Sequence, residues 1–452
     1  MLEQSLDYFL ADKQGAVLSD TLIAEACQTL RTNREEYLVQ IGNETIISKL
    51  VEAASLWLSP DYELRKMALA ADPETTGFPR EVLAAGLDAC FSEWTQENFF
   101  GLLGQEFGDA TRLQSFGSLS SHSLAMVHGP QLIAHVAPGN LPVPVFQSIA
   151  FGLLLRSAQF VKCASGKSLL PRLFGHTLHY VDPGLASALE IAEWDGGNET
   201  LEGELYKEAD CIVATGSDKT VGAIRGRLPL GKRFVGYGHR VSLGYVEQLA
   251  NEVMGTQTII NRAADDVVAW NQQGCLSPHV IYVEEFGNLK PERFAEMLAE
   301  ELAARSETIP RGELSTKEAG AIANMRRFYK TRSANNVGAI LWESEDSTEW
   351  TVVQEDEKQF QNSPLNRFVF VKPIEHLDEL MHILEPYRES ISTVGIAASE
   401  AKLREFALKL GAWGVPRVCP LGKMQRPPLA WRHDGRPALG DLIRWTDLEI
   451  IQ

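Results

Sequence analysis

Cysteine is scarce and scattered in this chain. Its 452 residues include six, at positions 27, 90, 163, 211, 275 and 419, and none falls in a CxxC pair. That spacing excludes a zinc ribbon and the dense disulfide framework of a small secreted domain, so no metal is expected. Positive charge is in deficit as well: 42 Lys and Arg against 60 Asp and Glu leave a net charge of −18. A nucleic-acid backbone or an anionic membrane is then a poor main partner, because phosphate binding needs a basic face. Long apolar runs are missing. The longest, Val143 to Leu155, contains Gln147 and Ser148 and stops at Arg156, so it reads as a buried helix, with no membrane span. The opening MLEQSLDYFLADKQ carries acids early and has no basic segment followed by an apolar core, so a cytoplasmic protein is expected. A GxGxxG fingerprint is lacking too, since GYGHRVSLG has the wrong spacing.

What is present is an ordinary globular composition, 44% apolar and 23% charged, on a chain longer than one core usually serves. Up to about residue 125 the apolar spacing of three and four predicts helices, as in EEYLVQIGNETIISKLVEAASLWL. From Gln131 short apolar strands alternate with helices: QLIAHV, QFVKC, ADCIVAT and KRFVGYG are the expected strands. A second alternating series follows residue 275. It holds a helix opened by Pro291, a capping box at Ser315 and Glu318, the strands NRFVFVKPI and STVGIAA, and a helix closed by Gly411. Such alternation predicts parallel sheets covered on both faces. The expected division is a helical region plus dinucleotide-binding domain over residues 1–245, a catalytic domain over 246–430, and a tail over 431–452 ending in a strand, LIRWTDLEI.

The stretch QQGCLSPHVIYVEE places Cys275 after a glycine, in a turn that leads into an apolar strand. A structural cysteine belongs in the interior; a partly exposed turn suits a reactive one. The order APGNLP, FVKCAS, ATGSDKTVG and QQGCLSP resembles the aldehyde dehydrogenase superfamily. Its closest likeness is the acyl-CoA reductase (LuxC-like) branch, which the C-x-S-P loop and the terminal WRHDGRPALGDLIRW also resemble. The resemblance implies an α/β fold of two Rossmann-like three-layer α/β/α domains with a small C-terminal oligomerisation strand. It implies Cys275 as nucleophile, Asn140 as the amide donor to the oxyanion, Lys162 at the adenosine ribose, and Gly216 and Ser217 at the pyrophosphate. Three residues after Lys162, where many relatives using NAD carry a glutamate, stands Ser165, with Lys167 close by; NADP(H) is therefore favoured over NAD(H). Asp218 beside the pyrophosphate position has no explanation in the sequence.

Hydrolysing relatives place a glutamate base in the segment that here reads KRFVGYGHRVSLG, which offers Gly236, Tyr237, Gly238 and His239 and no carboxylate. His239 reads as structural, and Gln361 is the nearest candidate for a nicotinamide-ribose ligand. His433-Asp434-Gly435 reads as a glycine-closed turn. The implied activity is NADPH-dependent reduction of a long-chain fatty acyl thioester to the aldehyde through an acyl-cysteine. The acyl group would arrive on coenzyme A, an acyl carrier protein or an acyl-transferring protein, and a homo-dimer or tetramer is expected. The rivals are a CoA-acylating aldehyde dehydrogenase running oxidatively, and a cysteine-dependent acyltransferase or thioesterase.

Overall fold

The structure is a computed structural model that describes residues 6–13, 15, 17–120, 122–335 and 337–450. The first quarter is helical. In the helix Asn43–Leu58 the buried side chains Ile46, Ile47, Leu50, Ala53, Ala54 and Trp57 recur by three and four, which lays one apolar stripe on the core. A hairpin of β1 (Gly117–Ser120) and β2 (Ser123–His128) follows.

The next strands are β3 (Leu132–Val136), β4 (Ala158–Cys163), β5 (Leu189–Glu193), β6 (Cys211–Thr215) and β7 (Arg233–Tyr237). They pair in parallel in the order β5-β4-β3-β6-β7. Alternation along the strands feeds two cores. Leu132, Ala134, Phe160 and Ile212 pack with Ile23 and Leu30 of the helix Asp20–Asn33. Ile133, Val161, Ile191 and Val213 face the other N-terminal helices and the helices Val143–Leu154 and Leu169–Val181. Strand order reverses between β3 and β6, and that reversal opens a crevice beyond their carboxyl ends.

A second sheet holds β8 (Val241–Val246), β9 (Pro278–Glu284), β10 (Ala339–Glu343), β11 (Thr351–Glu355), β12 (Phe368–Ile374), β13 (Ile391–Ala397) and β14 (Arg417–Pro420). Its order is β10-β11-β12-β9-β8-β13-β14, parallel except at the β10 edge. It too has a core on each face, one around Tyr245, Tyr282 and Phe370 and one around Ile281, Val283 and Val371. The last strand, β15 (Arg444–Glu449), returns to pair antiparallel with β2 at the edge of a three-stranded sheet.

Some expectations shift. The change of sheet falls between Tyr237 and Val241, so the boundary expected after residue 245 cuts into β8, which belongs to the second sheet. Gly411 lies inside the helix Glu400–Trp413; the cap is Gly414, at φ 119°, a conformation that glycine alone adopts without strain. β1 and β2 fall where helix was expected up to about residue 125, and β5, β8, β10, β11 and β14 were not expected either, being short or masked by glutamates and glycines. Among the described residues no helix is long and apolar enough to cross a membrane, and no cluster of side chains could hold a metal ion.

Candidate active site

The turn before Cys275 is built from left-handed backbone without glycine. Trp270, Asn271 and Gln272 have φ of 51°, 50° and 63°. Facing them, Leu365, Asn366 and Arg367 have φ of 65°, 55° and 65°. Each such residue costs on the order of 1–3 kcal/mol and persists only where its surroundings over-determine it. Here they do. The fully buried Arg367 donates Nε and Nη2 to Asn271 Oδ1 (3.1 and 2.9 Å) and Nη1 to the Ile309 carbonyl (2.7 Å). Gln272 Nε2 donates to the Pro278 and Phe368 carbonyls (2.7 and 2.8 Å), and Gln273 Nε2 donates to Asn366 Oδ1 (3.2 Å). At Gly274 a Cβ would lie 2.8 Å from the Gln425 amide, so the end of that side chain packs closely on the turn. The Ser242 hydroxyl then donates to the Cys275 carbonyl (2.7 Å), fixing the cysteine just ahead of β9.

Cys275 faces a cavity of about 130 Å³ between the two sheets. Its walls are mostly apolar: Leu141 and Phe151 from one side, Trp270 and Leu276 from the cysteine loop, Leu429 and Trp431 from the C-terminal segment. The thiol is partly open to this cavity, while the other five cysteines are buried. Asn140 leaves the loop after β3 and donates Nδ2 to the Gln273 carbonyl at 3.1 Å, two residues before Cys275. The structure therefore brings Asn140, from the loop after β3, to the turn that precedes Cys275. A thiol on an apolar cavity with an amide donor on the same turn can attack a carbonyl and stabilise the oxygen that charges.

Burial pushes the Cys275 thiol up to about 12; the Asp434 carboxylate adds to the rise, while the guanidiniums of Arg240 and Arg417 pull against it. Asp434 and His433 belong to the segment read as a mere turn. It is one, closed by Gly435 at φ 74°, yet Asp434 itself is left-handed at φ 53° and its side chain is only 6% exposed. Asp434 Oδ2 pairs with Arg240 Nε at 3.1 Å. The His433 ring stacks on Tyr237 at 4.3 Å and leans on Trp431 at 4.7 Å. The sequence held no sign of the Asp434–Arg240 ion pair, because nothing local links residue 434 to residue 240.

The expected cofactor residues lie along the crevice at the strand reversal. Lys162, buried at the end of β4, holds Nζ 5.8 Å from the centre of the Trp194 ring, and burial lowers its pKa against the pull of Glu202. Ser217 caps the helix Asp218–Arg227 by accepting from Thr220 N (3.2 Å), and Gly216 N donates to the Tyr237 carbonyl (3.1 Å). A helix start at the carboxyl ends of parallel strands fits a dinucleotide phosphate. Asp218 now has a reason: its Oδ1 accepts from His239 N (2.8 Å) and closes the turn after β7.

The features that favoured NADP(H) are engaged elsewhere. The Ser165 hydroxyl donates to Asp195 Oδ1 at 2.5 Å, and Glu193 accepts from Gly166 N and Ser168 N (2.8 and 3.1 Å). Lys167 Nζ reaches the Glu74 and Thr75 carbonyls (2.6 and 3.4 Å), away from Ser165. Gln361 lies off the cavity, donating to the Tyr329 hydroxyl (2.9 Å) and Glu355 Oε2 (3.3 Å) beneath the second sheet. His239 is exposed in the connection between β7 and β8.

Two sheets, one with a crevice at its strand reversal and one introducing a cysteine loop, define an aldehyde-dehydrogenase-like α/β fold. The aldehyde dehydrogenase of Brucella melitensis biovar abortus 2308 superposes with a TM-score of 0.70 at 12% identity, over 96% of this chain and 91% of that one. A bifunctional proline utilization A protein gives 0.73 at 13% identity over 97% of this chain, which spans 46% of that longer protein. The family model for acyl-CoA reductase (LuxC) matches residues 38–445, and the chain belongs to this family. It is 22% identical over 421 residues to the long-chain acyl-protein thioester reductase of Vibrio harveyi, covering 92% of this chain and 84% of that protein.

Proposed function

We propose that the protein reduces a fatty acyl thioester to the aldehyde through an acyl group held on Cys275. The observation that carries this reading is the Cys275 thiol facing a mostly apolar cavity, with the Asn140 amide held on the Gln273 carbonyl two residues before it. Cys275 Sγ attacks the thioester carbonyl, and Asn140 Nδ2 with the Cys275 backbone N–H receives the charge on oxygen. The carrier thiol leaves and the acyl chain lies along Phe151, Trp270 and Trp431. A nicotinamide dinucleotide bound along Lys162, Gly216 and Ser217 would supply the hydride. Cys275 Sγ is then released as the aldehyde forms.

The name of the Vibrio relative supports a long chain delivered on a protein; coenzyme A and an acyl carrier protein are the other donors. The donor of hydride is proposed as NAD(P)H without its phosphate class, because Lys167 is held on carbonyls and Asp195 stands at Ser165. The reaction is placed in the cytoplasm. β15, exposed along its length at a sheet edge, is proposed to pair with a second copy of the chain.

Intact-mass measurement after incubation with a long-chain acyl-CoA tests the reading. A single acyl adduct is expected, absent in Cys275→Ala and discharged as aldehyde on addition of NADPH or NADH. An adduct that only water or an acceptor thiol discharges would replace the reductase with an acyltransferase or thioesterase.

A further inference from the structure

One wall of the Cys275 cavity is a segment rich in cations, in a chain that otherwise has an excess of acids. We infer that Lys423, Arg426 and Arg432 form the docking face for an acidic acyl-carrying protein, which deepens the reading above and rests on it. Between residues 417 and 436 stand Arg417, Lys423, Arg426, Arg432 and Arg436, against the single carboxylate of Asp434. Asp434 pairs with Arg240 at 3.1 Å, and Arg436 with Asp441 at 2.6 Å. Lys423, Arg426 and Arg432 are exposed, and among the described residues their side chains make neither an ion pair nor a hydrogen bond. Acids are not wanting elsewhere: Lys49 reaches Glu52, Lys66 reaches Glu63, Lys402 reaches Glu405 and Arg404 reaches Glu400, each one helical turn away. With a net charge of −18 on the chain, three cations without a partner in one segment leave a place for anions from outside.

The segment is held in one piece against the cavity. The buried Arg417 donates Nη1 to the Met424 carbonyl and Nη2 to the Lys423 carbonyl (2.6 and 2.7 Å), and its guanidinium lies 5.5 Å from the centre of the Trp431 ring. Lys423 and the residue before Arg432 thus meet at one side chain. Arg426 is folded onto the same turn, its N–H donating to the Lys423 carbonyl at 3.3 Å. Gln425, Pro427, Pro428 and Trp431 line the cavity, and Arg426 and Arg432 are their exposed neighbours in the chain. Pro428 is exposed and lines the cavity at once, so the cavity reaches the surface along this segment. A thioester on a flexible arm enters there while its carrier rests on the cations.

The form of the face favours a protein over a small anion. A site for a small phosphate converges fixed donors in a concavity or at a helix start. Here the three cations are exposed, no partner fixes them, and no α-helix begins among them. Long mobile cations spread along an exposed segment suit the acidic side chains of a protein, where they raise the rate of encounter and set its orientation more than they add affinity. The rest of the surface, acidic in sum, repels such a partner and leaves this face as its approach.

Acylation of the full chain, followed by intact mass with two donors, dodecanoyl-acyl carrier protein and the uncharged dodecanoyl-pantetheine, tests this. With Lys423→Glu, Arg426→Glu and Arg432→Glu combined, the ratio of the carrier rate to the pantetheine rate should fall about 10- to 100-fold at low salt. The fall of the carrier rate with added salt, expected in the parent, should disappear in that variant. Binding of fluorescent acyl carrier protein to the Cys275→Ala protein, read by anisotropy, should weaken in parallel. An unchanged ratio, or a parent carrier rate that salt does not move, would overturn the docking face. So would an equal loss with dodecanoyl-CoA, because the cations would then be reading phosphate. Should the reversed variant fail to fold, the three glutamine substitutions should lower the same ratio about 3- to 10-fold, and an unchanged ratio there would overturn it equally. A parent protein that binds the carrier yet forms no adduct with any donor would instead end the thioester reading and leave the docking face standing.

Discussion

Asn140 donates its amide to the Gln273 carbonyl, two residues before Cys275. On the proposed chemistry Asn140→Ala should lower the single-turnover acylation rate about 100- to 1000-fold, roughly 3–4 kcal/mol of transition-state stabilisation, with little change in binding of the acyl-CoA. Rapid-quench kinetics check it. Both residues were legible in the sequence, because APGNLP and QQGCLSP carry their turns locally. Cys275 also stands apart from the other cysteines in the structure: Cys27, Cys90, Cys163, Cys211 and Cys419 are buried within helices and strands. At Asp434 the sequence showed the turn, but a turn does not state that Arg240 lies across from it. Ser165 and Lys167 mark the same limit from the other side, since the sequence gives their spacing and not the carboxylate and carbonyls that hold them.

At the scale of elements, the cysteine loop is positioned by two left-handed triplets locked through Arg367. That guanidinium is fully buried and has three hydrogen bonds to Asn271 and Ile309, and burial draws its pKa down to about 10. Arg367→Met should destabilise the protein by about 3 kcal/mol or more, because Asn271 Oδ1 and the Ile309 carbonyl are then buried without donors and the strained turn loses its support. Thermal or urea unfolding reads the loss, and acyl adduct formation should fall with it. No helix or strand pattern announces such a loop: Trp-Asn-Gln and Leu-Asn-Arg contain no glycine, and only surrounding contacts hold them at positive φ. The regular elements were legible where periodicity was strong. The capping box at Ser315 and Glu318 appears as expected. β5, reading LEIAE, and β8, which follows GYGHR, escaped because their burial is imposed by neighbouring strands.

At the scale of the molecule, distant segments set one another's energetics. Glu190 on β5 accepts from Leu10 N at 2.7 Å, 180 residues away, and burial lifts its carboxyl to about 7. With the folded pKa above the unfolded one, its contribution is fully favourable below the ordinary carboxylate range and is lost as pH rises through about 7. Glu190→Gln keeps the accepting oxygen without the charge, so it should melt higher than the parent at pH 8.5 and converge with it by pH 5, as scanning calorimetry would show. By itself the sequence determined the alternation of strands and helices, hence the layered α/β class, and the few turns whose chemistry is local. Tertiary structure alone decided where the sheets divide, which cysteine opens on a cavity, what Ser165 and Lys167 bond, and that Asp434 pairs with Arg240. The reason is physical: periodicity and turn preference act over a few residues, whereas burial, electrostatic fields and hydrogen-bond partners are fixed by groups that the chain brings together only when it folds.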